Sequence, residues 1–287
     1  METGSEIATR MSRASCKKFY DVYNAFDWPE VLKEGAWCMP PEEISIYGTP
    51  AYDALDEAQR KRLSLYEMAN LFSVVLQGEK LLVQGLAHRL YSTSNNREIT
   101  EYLHHFLDEE NKHMVMFGEF CNRYVGKVYP EKKISLPREY AKGEEEVAFF
   151  CKVMVVEELG DYYNLEIEKD GRVDPLVREL NKVHHIDEAR HLAFGRNYLV
   201  ELFERFRPGW TDDELAGFRA WLGDYLRASW GDYYNPSMYR DAGLADSYEL
   251  RQMALAHPAC AQHRQRVSAK LVAYFIKCGL LVEEPAL

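Results

Sequence analysis

The sequence predicts an all-α protein: a bundle of four long helices with additional helices around it. Three observations carry the prediction. Apolar residues recur three and four apart through most of the chain, whereas the alternation of a half-buried strand is scarce. The breaks between these stretches hold helix-capping and turn residues. Acids and histidines, costly to bury alone, fall on the apolar stripes of all four long segments.

The long helices are expected at 53–90, 98–124, 144–168 and 175–206. "STSNNRE" offers Asn95 as an N-cap with Glu98 three residues on, and "DGRVDP" offers Asp174 before Pro175 at the first helical position. "RPGWTDDE" ends the fourth helix and opens another through a capping box of Thr211 and Glu214. The stretch 126–142, "GKVYPEKKISLPREYAK", is long enough to cross the end of the bundle, so the helices should associate as two pairs, an arrangement that suits a ferritin-like bundle. One domain is expected over 1–287. Residues 1–52, with paired Pro40 and Pro41, would form an irregular arm packed on the bundle. The four-helix core would span 53–206, and 207–287 would supply the additional C-terminal helices.

Composition narrows the function. With 47% hydrophobic side chains in 287 residues the chain can bury a large core. A net charge of −11 argues against nucleic acid or an acidic membrane as partner, since each needs a basic face. Six cysteines are scattered without a CxxC pair, which reads as reduced thiols and a cytoplasmic setting. The opening "METGSEIATRMSR" has no apolar signal region, and runs such as "LFSVVL" and "KVMVV" are too short to span a bilayer.

The chemistry lies in "HHIDEARH". On the fourth helix, Leu176, Leu180, His184, Glu188, His191, Gly195, Tyr198 and Leu202 share one stripe, so His184, Glu188 and His191 point inward. On the second, Glu110 and His113 share a stripe with Ile99, Leu103, Phe106, Phe117 and Phe120. Both helices thus present Glu-x-x-His to the interior, a spacing that puts a carboxylate and an imidazole on one face. Chance supplies about one such string in a chain of this composition. A third, Glu101 with His104, falls on the opposite side of the second helix and is assigned to a solvated face. Glu79 is the only charged member of the first helix's stripe. On the third helix periodicity favours Glu157 but leaves the adjacent Glu158 open. Four carboxylates and up to three imidazoles from four helices suit two iron or manganese ions better than a thiolate-preferring metal. Glu109 and Asp187 each precede a Glu-x-x-His, where they could accept a hydrogen bond from the other helix's histidine, and Arg190 could brace Asp187. Val75, Phe106, Asp161 and Gly195 are candidates for positions near the cluster.

The paired motifs with Glu79 and Glu157 between them resemble the ferritin-like di-iron carboxylate proteins. "HHIDEARH", with His184 one turn ahead of the second Glu-x-x-His, more specifically resembles the arylamine N-oxygenases, and "YYNPSMYRDAGL" is similar to that family's carboxyl-terminal region. The resemblance implies a ferritin-like four-helix bundle core with additional helices. It implies seven ligands, Glu79, Glu110, His113, Glu157, His184, Glu188 and His191, with Glu110 and Glu188 bridging two iron ions. It implies O2 as co-substrate, an external electron donor, and an amine oxidised through hydroxylamine and nitroso stages to a nitro group. A homodimer is compatible with this reading. Three rivals stand beside it: a di-iron hydroxylase or desaturase acting on carbon, ferritin-type iron storage, and a helical interaction protein with a vestigial site.

Overall fold

The computed structural model describes residues 2–91, 96–131 and 134–287. Among these, ten α-helices and short 3-10 turns make up the regular structure, and the only β-type pairing is one isolated bridge between Trp37 and Val173.

The chain opens with a helix. α1, Gly4–Lys17, replaces the irregular arm expected for the first residues. Its start is specified locally: the Thr3 hydroxyl accepts from the Glu6 amide while the Glu6 carboxylate accepts from the Thr3 amide, a capping box within "TGSE". Ile7, Ala8 and Met11 then bury one face against the bundle, where α1 packs on the second and fourth long helices. The arm from 18 to 49 is irregular, as expected. Trp37 fixes it by donating to the Arg172 carbonyl and accepting from the Asp174 amide.

α2, Pro50–Asp53, is a single turn. The first long helix, α3, begins only at Glu57 and ends at Arg89, because Asp56 and Gln59 form a capping box that starts it afresh. The second, α4, is Arg97–Tyr124 and is capped by Asn96, whose side chain accepts from the Ile99 amide at 3.1 Å. Asn95, the expected cap, lies outside the described residues. The third, α5, is Glu144–Lys169, and the fourth, α6, is Pro175–Phe206 with Asp174 as its cap. α7, Asp212–Ser229, starts at the expected Thr211–Glu214 capping box.

α3 pairs with α4 and α5 with α6. The crossing loop is pinned to α3, since the Ser73 hydroxyl accepts from the Tyr129 amide at 3.0 Å and Gln77 donates to the Tyr129 carbonyl at 3.3 Å. It enters α5 through Gly143, whose φ of 75° favours glycine. Where α3 meets α5, a Cβ on Gly85 would stand 2.0 Å from the Phe149 ring, so glycine sets the close approach of these two helices. The remaining helices, α8 (Pro236–Asp241), α9 (Ser247–Ala256) and α10 (Pro258–Lys277), complete the fold, with α8 against α3 and α10 along α5. All six cysteines are free, and no helix among the described residues is long and apolar enough to cross a membrane.

Candidate metal centre

Each long helix sends polar side chains into the middle of the bundle. They converge in two groups: Glu79, His113, His184 and Glu188; and Glu110, Glu157, Glu188 and His191. Within each group, one ligand atom per residue lies within 4.8 Å of the others. All seven side chains are buried, none above 4% exposure.

Glu188 belongs to both groups, and Glu110 reaches from the second toward the first. Glu188 turns Oε1 toward His184 Nε2 (2.7 Å) and His113 Nδ1 (3.4 Å), and Oε2 toward His191 Nδ1 (3.1 Å). Glu110 places Oε1 2.8 Å from His191 Nδ1 and Oε2 3.5 Å from His113 Nδ1. Each carboxylate therefore faces both groups with a different oxygen, the geometry a bridge requires. Glu79 Oε1 serves one group, 3.4 Å from His184 and 3.5 Å from His113; Glu157 Oε2 serves the other, 3.9 Å from His191.

The outer ring nitrogens are held by hydrogen bonds. His113 Nε2 donates to Asp187 at 3.1 Å, His191 Nε2 to Glu109 at 2.9 Å, and His184 Nδ1 to the Asn164 side-chain oxygen at 3.0 Å. These bonds orient the rings and, in the neutral tautomer they select, aim the other nitrogen's lone pair inward. Arg190 ties the two acids together, pairing with Glu109 at 2.6 Å and with Asp187.

The donor set fits two divalent cations. Both oxygens of Glu79 and of Glu110, one each of Glu157 and Glu188, His113 Nδ1 and His184 Nε2 are buried without a geometrically sound hydrogen bond. Such atoms are rare in a folded protein, and here they belong to side chains that converge in the two groups. The electrostatics show the same demand for positive charge. Burial opposes charging His113, yet hydrogen bonds with Asp187, Glu110 and Glu79 raise its pKa well above the ordinary value. Burial likewise opposes charging His191, but Glu188 and Glu110 outweigh it and raise its pKa strongly. Burial, then the neighbouring His113, holds His184 far below its ordinary range, and burial pushes Glu79 up to about 8. Burial alone would raise Glu109, yet His191 and Arg190 hold it down near about 2. Protons and metal ions compete for the inward lone pairs.

Several sequence expectations are decided by position. Glu157 joins the cluster, whereas Glu158 turns to Arg196 and Lys270. Glu101 and His104 are exposed, and His104 Nε2 lies 3.0 Å from the Tyr91 hydroxyl. Phe106 stacks on His191 with ring centroids 3.8 Å apart. Val75 and His184 both flank Gly160, where a Cβ would stand 3.7 Å from one and 4.0 Å from the other. Asp161 instead binds His185 at 2.6 Å, and Gly195 makes room for Met154. Sequence reasoning missed Asn164. Its signal was a place two helical turns beyond Glu157, on the same stripe.

A cavity of about 460 Å³ opens between α3 and α5, roofed by the crossing loop and the segment after α7. Val75, Val155, Val156 and Leu159 form its apolar wall.

Fold and site together define a ferritin-like bundle with a buried carboxylate and histidine centre suited to two metal ions. Residues 2–279 match the family described as P-aminobenzoate N-oxygenase AurF, and the chain belongs to that family. Among curated proteins, it is 27% identical over 215 residues to the uncharacterized proteins Rv0885 of Mycobacterium tuberculosis (strain ATCC 25618 / H37Rv) and Mb0909 of Mycobacterium bovis. Those matches cover 70% of this chain and 62% of theirs. Among solved structures, a mutant R2-like ligand-binding oxidase with an anaerobically reconstituted Mn/Fe cofactor has the same fold. The two share a TM-score of 0.52 and 14% identity over 96% of this chain and 93% of that one.

Proposed function

We propose that this chain is a di-iron N-oxygenase that transfers oxygen from O2 to the nitrogen of an arylamine, giving hydroxylamine, nitroso or nitro products. Glu79, Glu110, His113, Glu157, His184, Glu188 and His191 would hold the two irons, and Glu110 and Glu188 are the carboxylates placed to serve both. The bound metal pair supplies the activation of dioxygen, and an external donor supplies the electrons.

The observation that carries the reading is His184. Its Nε2 lies 2.7 Å from Glu188 and 3.4 Å from Glu79, while Asn164 fixes the other side of the ring. That third imidazole is an addition to the paired Glu-x-x-His plan, and it raises the number of neutral donors in its group. The protein's other part is exclusion of water: Phe106 covers His191, and the valines and leucine of the cavity wall desolvate whatever enters. An apolar entrance favours a neutral amine with an available lone pair, and aromatic amines are neutral near pH 7 whereas alkylamines are not.

The test is mass spectrometry with labelled dioxygen over aryl amines, alkyl amines and ferrous salt alone, with iron quantified in parallel. Label on the nitrogen of an aryl amine supports the reading. Label only on carbon would replace it with a hydroxylase, and multi-turnover ferric deposition without organic product with iron storage. His184→Ala should change the optical spectrum of the oxygen-exposed reduced protein far more than His185→Ala, whose ring is engaged by Asp161.

A further inference from the structure

The three imidazoles of the cluster are alike on their inner side and differ on the outer one. His113 donates to Asp187 at 3.1 Å and His191 to Glu109 at 2.9 Å, so each is backed by a carboxylate, and Arg190 pairs with both acids. His184 donates instead to the side-chain oxygen of Asn164 at 3.0 Å. An anionic acceptor draws the ring proton toward itself and makes the opposite nitrogen a stronger donor to metal; a neutral amide does so far less. The amide is also held loosely. Asn164 is only 2% exposed, yet its Nδ2 has no hydrogen-bond partner, so the bond to His184 is its side chain's one hydrogen bond among the described residues.

Space lies beside the same ring. Gly160, one turn before Asn164 on α5, leaves a gap where a Cβ would stand 4.0 Å from His184 Cε1 and 3.7 Å from Val75. Phe117 and His113 meet the His184 ring edge to face, whereas His191 lies stacked on Phe106. A neutral partner, a loosely held amide and a methyl-sized gap therefore all fall on one of the three imidazoles. We infer that Asn164 is a positioning residue that makes His184 the exchangeable imidazole of the cluster, the one that yields its metal position to a small incoming ligand while His113 and His191 stay bound. The exchange breaks the bond from Nε2 to the metal and forms one from the incoming ligand; the ring keeps its Nδ1 proton and no electron moves. This deepens the function proposed above and rests on it for the metal pair alone, not for the substrate.

Azide binding to the Co2+-loaded protein tests the inference, because the visible absorption of Co2+ follows its coordination and azide is a small anionic ligand. Asn164→Asp gives His184 the kind of partner that the other two imidazoles have. It should tighten Co2+ binding and weaken azide binding, each on the order of tenfold. Gly160→Ala leaves the hydrogen bond alone and fills the gap, so it should weaken azide on the order of threefold with Co2+ affinity unchanged. Removing the ring separates positioning from other effects: in a His184→Ala background neither substitution should shift azide binding. Should Asn164→Asp lose its helical circular dichroism, Gly160→Ala carries the test. Unchanged azide affinity in the folded variants would overturn the inference while leaving the N-oxygenase reading in place. Losses of the same size without the ring would also overturn it, since they would reflect charge repulsion or a general disturbance of α5. A wild-type chain that takes up no Co2+ would instead sink the metal centre, and the inference with it.

Discussion

The two sides of the cluster are built on opposite principles. Toward α4 and α6, the histidines back onto Glu109 and Asp187, which Arg190 joins into one buried ionic unit beneath α1. Toward α3 and α5, Val75 and Leu159 line open space, and glycines of α3 receive the Phe149 and Val156 side chains of α5. A charged, hydrogen-bonded network resists rearrangement because breaking a member leaves a buried charge unpaired. An apolar wall makes no such demand and can meet different ligands. The contrast assigns rigidity to one face and access to the other.

The largest effect comes from removing a bridging carboxylate. Glu188→Ala or Glu110→Ala takes a donor from both groups at once, so the iron content should fall from about two per chain toward zero. Glu101→Ala and His104→Ala, with the same motif on the exposed face, should keep their metal. Elemental analysis of the purified variants measures this, and equal losses at both places would refute the division between inward and outward pairs.

Damage to the rigid face should be next. Asp187→Asn keeps shape and the ability to accept from His113, but removes the charge that Arg190 and the imidazole share, so metal affinity should fall roughly tenfold to a hundredfold. Competition with a chelator reads the change, and an unaltered affinity would mean the ionic unit serves stability alone. On the open face, Val75→Phe should do the converse: retain metal while weakening amine binding by on the order of tenfold as the ring fills the cavity floor. If Val75→Phe instead sheds metal, the two sides are not separable as described.

How much of this was legible before the structure depends on the range of the determining contacts. The inward set on α4 and α6 follows from helical period alone, and the pairing of Glu109 and Asp187 with the opposite helix's histidine follows from the hydrogen bond a ligand imidazole's outer nitrogen needs. Periodicity favours Glu157 but leaves Glu158 open because both are buried, and what separates them is nonlocal: Arg196 of α6 and Lys270 of α10 claim Glu158. Asn164 escaped because a hydrogen bond between α5 and α6 depends on their relative register. The cavity draws on α3, the crossing loop, α5 and the segment after α7, so no single stretch encodes it. The opening helix was a different kind of miss, since its Thr3–Glu6 capping box is local and stood in the sequence.

A second contrast lies on α3 itself, where two acids three turns apart meet the same burial and different neighbours. Glu79 and Glu67 are both pushed up to about 8 by burial. Glu79 faces two imidazoles; Glu67 meets the Ser45 amide and hydroxyl, and Ser45 in turn lies 2.7 Å from the Tyr239 hydroxyl. Hydroxyls and an amide satisfy a neutral carboxyl without calling for a cation, so Glu67 should be a protonated structural group. Its folded pKa lies above the unfolded value near 4.5. The folded state therefore binds the extra proton between those values, and the contribution is complete below pH 4.5 and is lost as pH rises through about 8. Across that window it amounts to a few kcal/mol at most, of order 1.4 kcal/mol per pH unit. Glu67→Gln cannot ionise, so urea unfolding at pH 6 and pH 9 should show the variant gaining on the wild type at the higher pH. A constant difference between the two proteins would mean that Glu67 is charged in the folded state, and a cation would then have to be sought beside it.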